Sequence, residues 1–205
     1  SGSNFENNIA HSGGGLYWQM SNLNISNSIY ENNTAIWSGG AIGFSDNPGW
    51  STNFNEVGFI SNVAQGSGGG GHGGAIYGGG YAEIDFTNCT FSNNSANSDY
   101  GGAIHCKDYV DIDITTSILW DNSPQEIALD DAVELDVSYS DVEGGSDDIS
   151  YMGNFSGSLN WGDGNIDADP LFCNAESSDF TLYDYSPCVG TGQDGANMGA
   201  YGVGC

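Results

Sequence analysis

The chain has 205 residues, 33 of them Gly, and sets 27 acidic residues against a single base, Lys107, for a formal net charge of −26. Nucleic acid is excluded as a partner because phosphate binding needs clustered Lys and Arg, and the same repulsion disfavours anionic membranes and polyuronates. No window is apolar for long enough to span a bilayer, and no signal-peptide pattern opens the chain.

Two phrases recur in chain order. An aromatic-x-Asn-Asn phrase runs as Phe5-Glu6-Asn7-Asn8, Tyr30-Glu31-Asn32-Asn33, Phe59-Ile60-Ser61-Asn62, Phe91-Ser92-Asn93-Asn94 and, more loosely, Leu119-Trp120-Asp121-Asn122. Between its copies lie Gly13-Gly14-Gly15-Leu16-Tyr17, Gly39-Gly40-Ala41-Ile42, Gly73-Gly74-Ala75-Ile76-Tyr77 and Gly101-Gly102-Ala103-Ile104-His105. Successive aromatic starts are 25 to 32 residues apart, a period that signals a solenoid. Within a period, short runs such as Ile84-Asp85-Phe86 and Val110-Asp111-Ile112-Asp113-Ile114 alternate apolar and polar residues, so one side is buried and the other wet. Gly supplies sharp turns with positive φ, and Asn can do the same while stacking into a hydrogen-bonded ladder.

The pattern predicts an all-β parallel β-helix of about seven coils, three short strands per coil, as one domain over residues 1–205. Residues 1–122 are Gly/Asn-rich coils. Residues 123–205 are an acidic end: 7 acids fall in residues 1–107 and 20 in residues 108–205. Ile127-Ala128-Leu129 and Val133-Glu134-Leu135-Asp136-Val137 read as further strands, and residues 144–164 as a looped-out excursion. Because Phe5 already stands in register, the expectation is a mature processed protein or a piece of a longer one, secreted and extracellular. An uncapped first coil would also favour self-association end to end into a filament.

Residues 134–205 resemble the C-terminal part of secreted bacterial right-handed parallel β-helix proteins, on Val137-Ser138-Tyr139-Ser140-Asp141-Val142-Glu143-Gly144-Gly145, Gly164-Asn165-Ile166-Asp167-Ala168-Asp169-Pro170-Leu171-Phe172, Asp179-Phe180-Thr181-Leu182, Ser186-Pro187-Cys188 and Gly199-Ala200-Tyr201-Gly202. The Gly-Gly-Ala-Ile and aromatic-x-x-Asn phrases are similar to polymorphic outer-membrane protein repeats, which are surface adhesin-like passengers. The resemblance implies a right-handed helix and a surface role, often with a C-terminal anchor. The architecture itself hosts enzymes, adhesins and rods alike.

Candidate sites follow from residue types. Asp163, Asn165, Asp167 and Asp169 place four oxygen ligands at alternate positions, as a Ca²⁺ loop would begin, although Ala168 and Asn174 replace its Gly and closing Glu. The other reading is a turn into Pro170. Calcium is the one cofactor suggested. Cys173 and Cys188 flank the Asp179-Phe180-Thr181-Leu182 strand and are expected to pair, with Cys89 and Cys106 as a second pair and Cys205 left over. Glycosylation triplets fall at Asn24, Asn32, Asn88, Asn93 and Asn154. His11, His72 and His105 sit beside the Gly phrases, as solvated turn residues or as a metal-binding ladder.

Lyases resembling this fold use an Arg or Lys base with Ca²⁺, for which only Lys107 is present. Gly71-His72-Gly73 and Asp130-Asp131 echo polygalacturonase phrases in reversed order. The leading expectation is therefore a non-catalytic structural or adhesive protein, with Tyr17, Trp18, Trp37, Trp50 and Tyr77 available to glycans or proteins. The alternative is a Ca²⁺-dependent enzyme cleaving, or a protein binding, a neutral glycan.

Overall fold

A computed structural model describes residues 1–45, 49–66, 70–98 and 100–205. Among them the chain forms a parallel β-solenoid whose only helical elements are three short 3-10 turns. The coil that starts at Glu83 shows the plan. Its strands are Glu83–Thr87, Thr90–Ser92, Ser95–Ala96 and Ile104–Lys107. The first two lie in one sheet, which the two preceding coils cross as single strands, Leu23–Glu31 and Ser51–Ile60, so the coil has the three walls expected. Ile84 and Phe86 point inward and Glu83 and Thr87 outward, as period-2 alternation requires.

The corners explain the recurring phrases. Each needs a residue of positive φ, and the same corner recurs in every coil: Asn27, Glu56, Asn88, Thr116 and Tyr139 at one, Asn7, Asn32, Ser61, Asn93 and Asp121 at the next. In aromatic-x-Asn-Asn the aromatic faces the core, the first Asn takes the left-handed turn, and the second turns its amide inward. At the third corner, Gly73 has φ +61°, and a Cβ on Gly74 would stand 2.2 Å from Gly102 O and 2.5 Å from Ser95 N. The first Gly is thus there for its backbone conformation and the second for the close approach of the next coil.

Stacking is in register. Ile42, Ile76, Ile104, Ile127 and Ile149 lie one above another, and Phe5, Tyr30, Phe59 and Phe91 stack with centroids 4.5, 5.5 and 4.5 Å apart. Among the described residues, the wall carrying the Ile column contains six strands, fewer than the seven coils expected. The shortfall lies at the C-terminus, where residues 171–205 do not coil. Conversely, residues 144–164 are not a simple excursion, because Ile149–Tyr151 and Ser158–Trp161 join the ladders.

A second set of interactions holds the coils in phase. Asn8, Asn33, Asn62 and Asn94 each donate both backbone N–H and side-chain Nδ2–H to the Oδ1 of the next member, ending on Asn122, at 2.8 to 3.1 Å. The other Nδ2–H of Asn33, Asn62, Asn94 and Asn122 reaches the backbone oxygen of Phe5, Tyr30, Phe59 and Phe91. Glu126 closes the ladder, its two carboxylate oxygens accepting from Asn122 N and Nδ2 at 3.1 and 2.6 Å. The ladder amides are thereby satisfied inside a narrow core that could not otherwise carry them.

The C-terminal segment corrects the cysteine expectations. The disulfide joins Cys173 to Cys205, so neither the Cys173–Cys188 nor the Cys89–Cys106 pair forms, and Cys89, Cys106 and Cys188 are buried free thiols. Cys89 occupies a corner column with Ser117, whereas Cys106 lies in the inward column of Gly78 and Leu129 on another wall. Two residues within one coil's length of sequence therefore need not meet across it. Cys188 instead enters a small second core with Ile118, Leu182 and Met198.

Residues 171–205 act as a strap laid along the outside of the coils. Phe172–Asn174 and Asp179–Leu182 form an antiparallel pair. From there Met198 N donates to Cys188 O, Gly199 N to Thr116 O and Ala200 N to the Thr90 hydroxyl. Tyr201 fills the slot left by Gly58, where a Cβ would stand 2.0 Å from the phenol oxygen. Ser178 donates to a Glu31 carboxylate oxygen at 2.8 Å. The outward column Gly58, Thr90, Ile118 and Asp141 is covered in this way.

If the Asn ladder sets coil phase, Asn62→Ala orphans the two donors of Asn33 and the Tyr30 carbonyl. At roughly 1–3 kcal/mol for each unsatisfied buried group, stability should fall by on the order of 4 kcal/mol. Asn93→Gly, at the exposed left-handed position beside the ladder, should be neutral or slightly stabilising. Urea unfolding of the two variants checks the contrast.

Candidate functional site

Outward-facing side chains form columns, because strands that pair in register repeat their outward positions from coil to coil. On the strands following the fourth corner, Glu83, Asp111 and Glu134 make one acidic column and Asp85, Asp113 and Asp136 a second. Burial, followed by the neighbouring carboxylates, raises the pKa of Asp85, and burial, followed by Asp136, Asp85 and Asp111, that of Asp113. Asn160 and Asn53, in the same outward position further along, hydrogen bond to Asp136 and Asn24.

At the fourth corner itself the residues are aromatic. Tyr81 and Tyr109 stack in parallel, centroids 4.9 Å apart and planes 2° apart. They are 58% and 57% exposed, and both have positive φ, 53° and 65°. Gly49 occupies the corresponding position one coil earlier, pairing its N–H with Tyr81 O, and Trp50 beside it is also exposed. The column was not visible as a phrase. Its only signal is Tyr-x-acid recurring 28 residues apart, at Tyr81-Ala82-Glu83 and Tyr109-Val110-Asp111.

A different array surrounds the third corner. His72 and Tyr100 precede successive Gly phrases, and Tyr77 and His105 follow them in paired strands. His72–Tyr100, His72–His105, Tyr77–His105 and Tyr100–His105 centroids are 4.3, 5.1, 5.4 and 5.2 Å apart. His105 is not a solvated turn residue: it is 2% exposed, and burial lowers its pKa to about 3. His11 stands apart, stacked on Trp37 at 6.0 Å, so the three His do not form one ladder. Tyr17, Trp37 and Trp50 are exposed and Tyr77 half-buried, but Trp18 lies in the core against Phe44 and cannot reach a ligand.

The oxygen ligands expected to converge have separate tasks. Asn165 turns inward, accepting from Ser140 N at 3.0 Å and donating to Val137 O and Gly162 O, as the last member of a corner ladder with Ser117 and Ser140. Asp167 accepts from Gly144 N and Asp169 from Leu171 N, while the Asp163 backbone oxygen accepts from Tyr139 N. Among the described residues, no three His, Cys, Asp or Glu side chains are grouped to hold a metal ion. Lys107 is paired with Asp108 at 3.2 Å. Asn24, Asn32, Asn93 and Asn154 are exposed and Asn88 half-buried; Asn32, Asn88 and Asn93 hold left-handed corners beside the ladders.

One coil carries a recognisable signature. Residues 88–107 match the Chlamydia polymorphic membrane protein repeat. The matched segment runs from the Asn88 corner through Phe91-Ser92-Asn93-Asn94 and Gly101-Gly102-Ala103-Ile104 to Lys107, which is most of one coil. The chain is thus a β-solenoid with repeats like those of polymorphic outer-membrane proteins. No curated protein and no solved structure gives a significant match. Among the described residues, no helix is long and apolar enough to cross a membrane.

Where the repeat-bearing coils meet the strap, a carboxyl is enclosed. Asp141 is fully buried, accepts from the Cys188 thiol at 3.0 Å and from Ala168 N at 3.2 Å, and is pushed up by burial to about 6. Burial also raises Glu126 and the Cys188 thiol. A folded-state carboxyl pKa above its unfolded value binds a proton that the unfolded chain releases. Its stabilisation is therefore complete below about pH 4 and disappears as pH rises through about 6. For Asp141 a rise of that size corresponds to about 3 kcal/mol as an upper bound. Thermal melts at constant ionic strength should show Tm falling from pH 4 to pH 7. Asp141→Asn should flatten that fall, and an unchanged profile would count against the assignment.

Proposed function

We propose that the protein is a non-catalytic, surface-displayed β-solenoid that binds a neutral glycan through the column of Trp50, Tyr81 and Tyr109. The observation that carries this reading is the exposure of two parallel tyrosine rings on left-handed backbone. A non-Gly residue in that conformation costs about 1–2 kcal/mol, and the coil before it uses Gly49 at the same corner. Retaining a bulky apolar ring there, in water and at a conformational cost, is a signature of contact rather than of folding.

The chemistry around the rings favours a sugar. Aromatic faces present flat apolar surface with little conformational entropy to lose. Glu83 and Asp111, two residues further along each strand, supply carboxylate acceptors for hydroxyl groups. A net charge of −26 repels uronates and sulfated chains, which leaves neutral polymers. Surface display is supported by the membrane-protein repeat matched at residues 88–107. Lys107, the base that lyase chemistry would need, is paired with Asp108, which supports binding over lyase-type cleavage.

A glycan array followed by calorimetry tests the reading. Wild-type protein should bind one or more neutral glycans, and Tyr81→Ala combined with Tyr109→Ala should weaken binding at least tenfold without lowering Tm. Undiminished binding by the double variant, or binding confined to acidic glycans, would contradict it.

A further inference from the structure

The ring array at the third corner has a feature that the glycan reading does not use. His105 leaves the outer side of its strand, between Tyr77 in one neighbouring strand and Ala128 in the other, yet it is 2% exposed because His72, Tyr77 and Tyr100 close over it. Neither of its ring nitrogens has a hydrogen-bond partner. A buried imidazole carries one donor or lone pair on each nitrogen, and leaving such groups unmade costs about 1–3 kcal/mol each. Among the described residues, the ladder amides are paired, and while Trp18 Nε1 and the Tyr30 and Ser38 hydroxyls are also buried without a partner, His105 has two such atoms.

We propose that His105 and His72 form a binding site for a single divalent transition-metal ion of the zinc and copper class, walled by Tyr77 and Tyr100. Two imidazoles bound to one ion through metal–nitrogen bonds of about 2.0–2.1 Å, at a tetrahedral angle, have ring centroids roughly 5 Å apart. The His72–His105 centroids are 5.1 Å apart, with the planes inclined by 36°. Imidazole nitrogen selects zinc, copper and nickel over calcium and magnesium, which prefer oxygen.

Size and charge point the same way. At 2% exposure His105 is closed to a sugar, so this site is separate from the tyrosine column. Lys107, two residues along, has its ammonium held by Asp108 at 3.2 Å, which offsets its repulsion of a cation, and the chain as a whole is strongly anionic. Two protein ligands leave coordination positions for water, a pattern of exchangeable rather than permanently closed sites. Because His72 and His105 belong to successive coils, a bound ion would also brace one coil against the next.

The test uses the full chain stripped with a chelator and titrated separately with Zn²⁺, Cu²⁺ and Ca²⁺. Calorimetry should find one equivalent of Zn²⁺ or Cu²⁺, with the Cu²⁺ complex showing nitrogen hyperfine structure from imidazole in electron paramagnetic resonance. His105→Phe, which keeps a ring in the buried position, and His72→Ala should each weaken binding at least tenfold. His11→Ala should leave it unchanged. Histidine ring resonances of the wild-type protein should shift for two residues on Zn²⁺ addition, a readout independent of how the variants fold. Absence of Zn²⁺ and Cu²⁺ binding, binding unaffected by His105→Phe, or equal binding of Ca²⁺ would overturn the proposal; a bridging water would then be the occupant.

Discussion

Everything in this molecule depends on one constraint: a buried amide at one corner of each coil must sit directly over the next. A solenoid core only one coil wide has little apolar volume, and sharp corners expose backbone groups that a strand would pair laterally. The Asn33, Asn62 and Asn94 side chains solve both problems, each bonding the coil ahead and the coil behind, with Asn8 and Asn122 as the two ends of the ladder. A slip of one residue would remove every member from its partner and flip each strand's apolar side outward. Register is therefore enforced by polar specificity as well as by the aromatic stack.

Once register is enforced, the outer surface inherits it. Side chains that would be unrelated in a globular fold become columns: paired tyrosines, two lines of carboxylates, and a cluster of imidazole and phenol rings. One outward column is used structurally, since the strap formed by residues 171–205 covers Gly58, Thr90, Ile118 and Asp141 and is tied by the Cys173–Cys205 bond. Such a tether closes a loop with a sequence separation of 32 residues and limits how far the strap can leave the coils. The columns left open are those available for recognition.

The architecture was legible because its main device is local. Aromatic-x-Asn-Asn places a core residue, a left-handed corner and a ladder amide within four positions, and Gly-Gly supplies both the turn and the close approach of coils. What could not be read depends on distant contacts. Cys173 pairs with Cys205 and not Cys188 because Cys188 is drawn into an apolar pocket on Ile118, and nothing near Cys188 encodes Ile118. Asn165 looked like a cation ligand because ladder amides and metal ligands are the same residue types, and only the partner at Ser140 separates the two roles. Tyr81 and Tyr109 form no recognisable phrase because a left-handed corner normally reads as Gly or Asn, and exposure on such backbone is invisible to a pattern of apolar periodicity.

Amide hydrogen exchange measured residue by residue tests the central claim most directly. If the ladder locks the coils in phase, the amides of Asn8, Asn33, Asn62 and Asn94, each bonded to the next side chain, should exchange only through large-scale opening. Asn33, Asn62 and Asn94, inside the stack, should share one slow rate, while amides of the strap such as Thr181 exchange faster. Rapid or widely different exchange among those three Asn amides, with protection confined to the strand centres, would show that the aromatic stack alone holds the solenoid and would contradict the account.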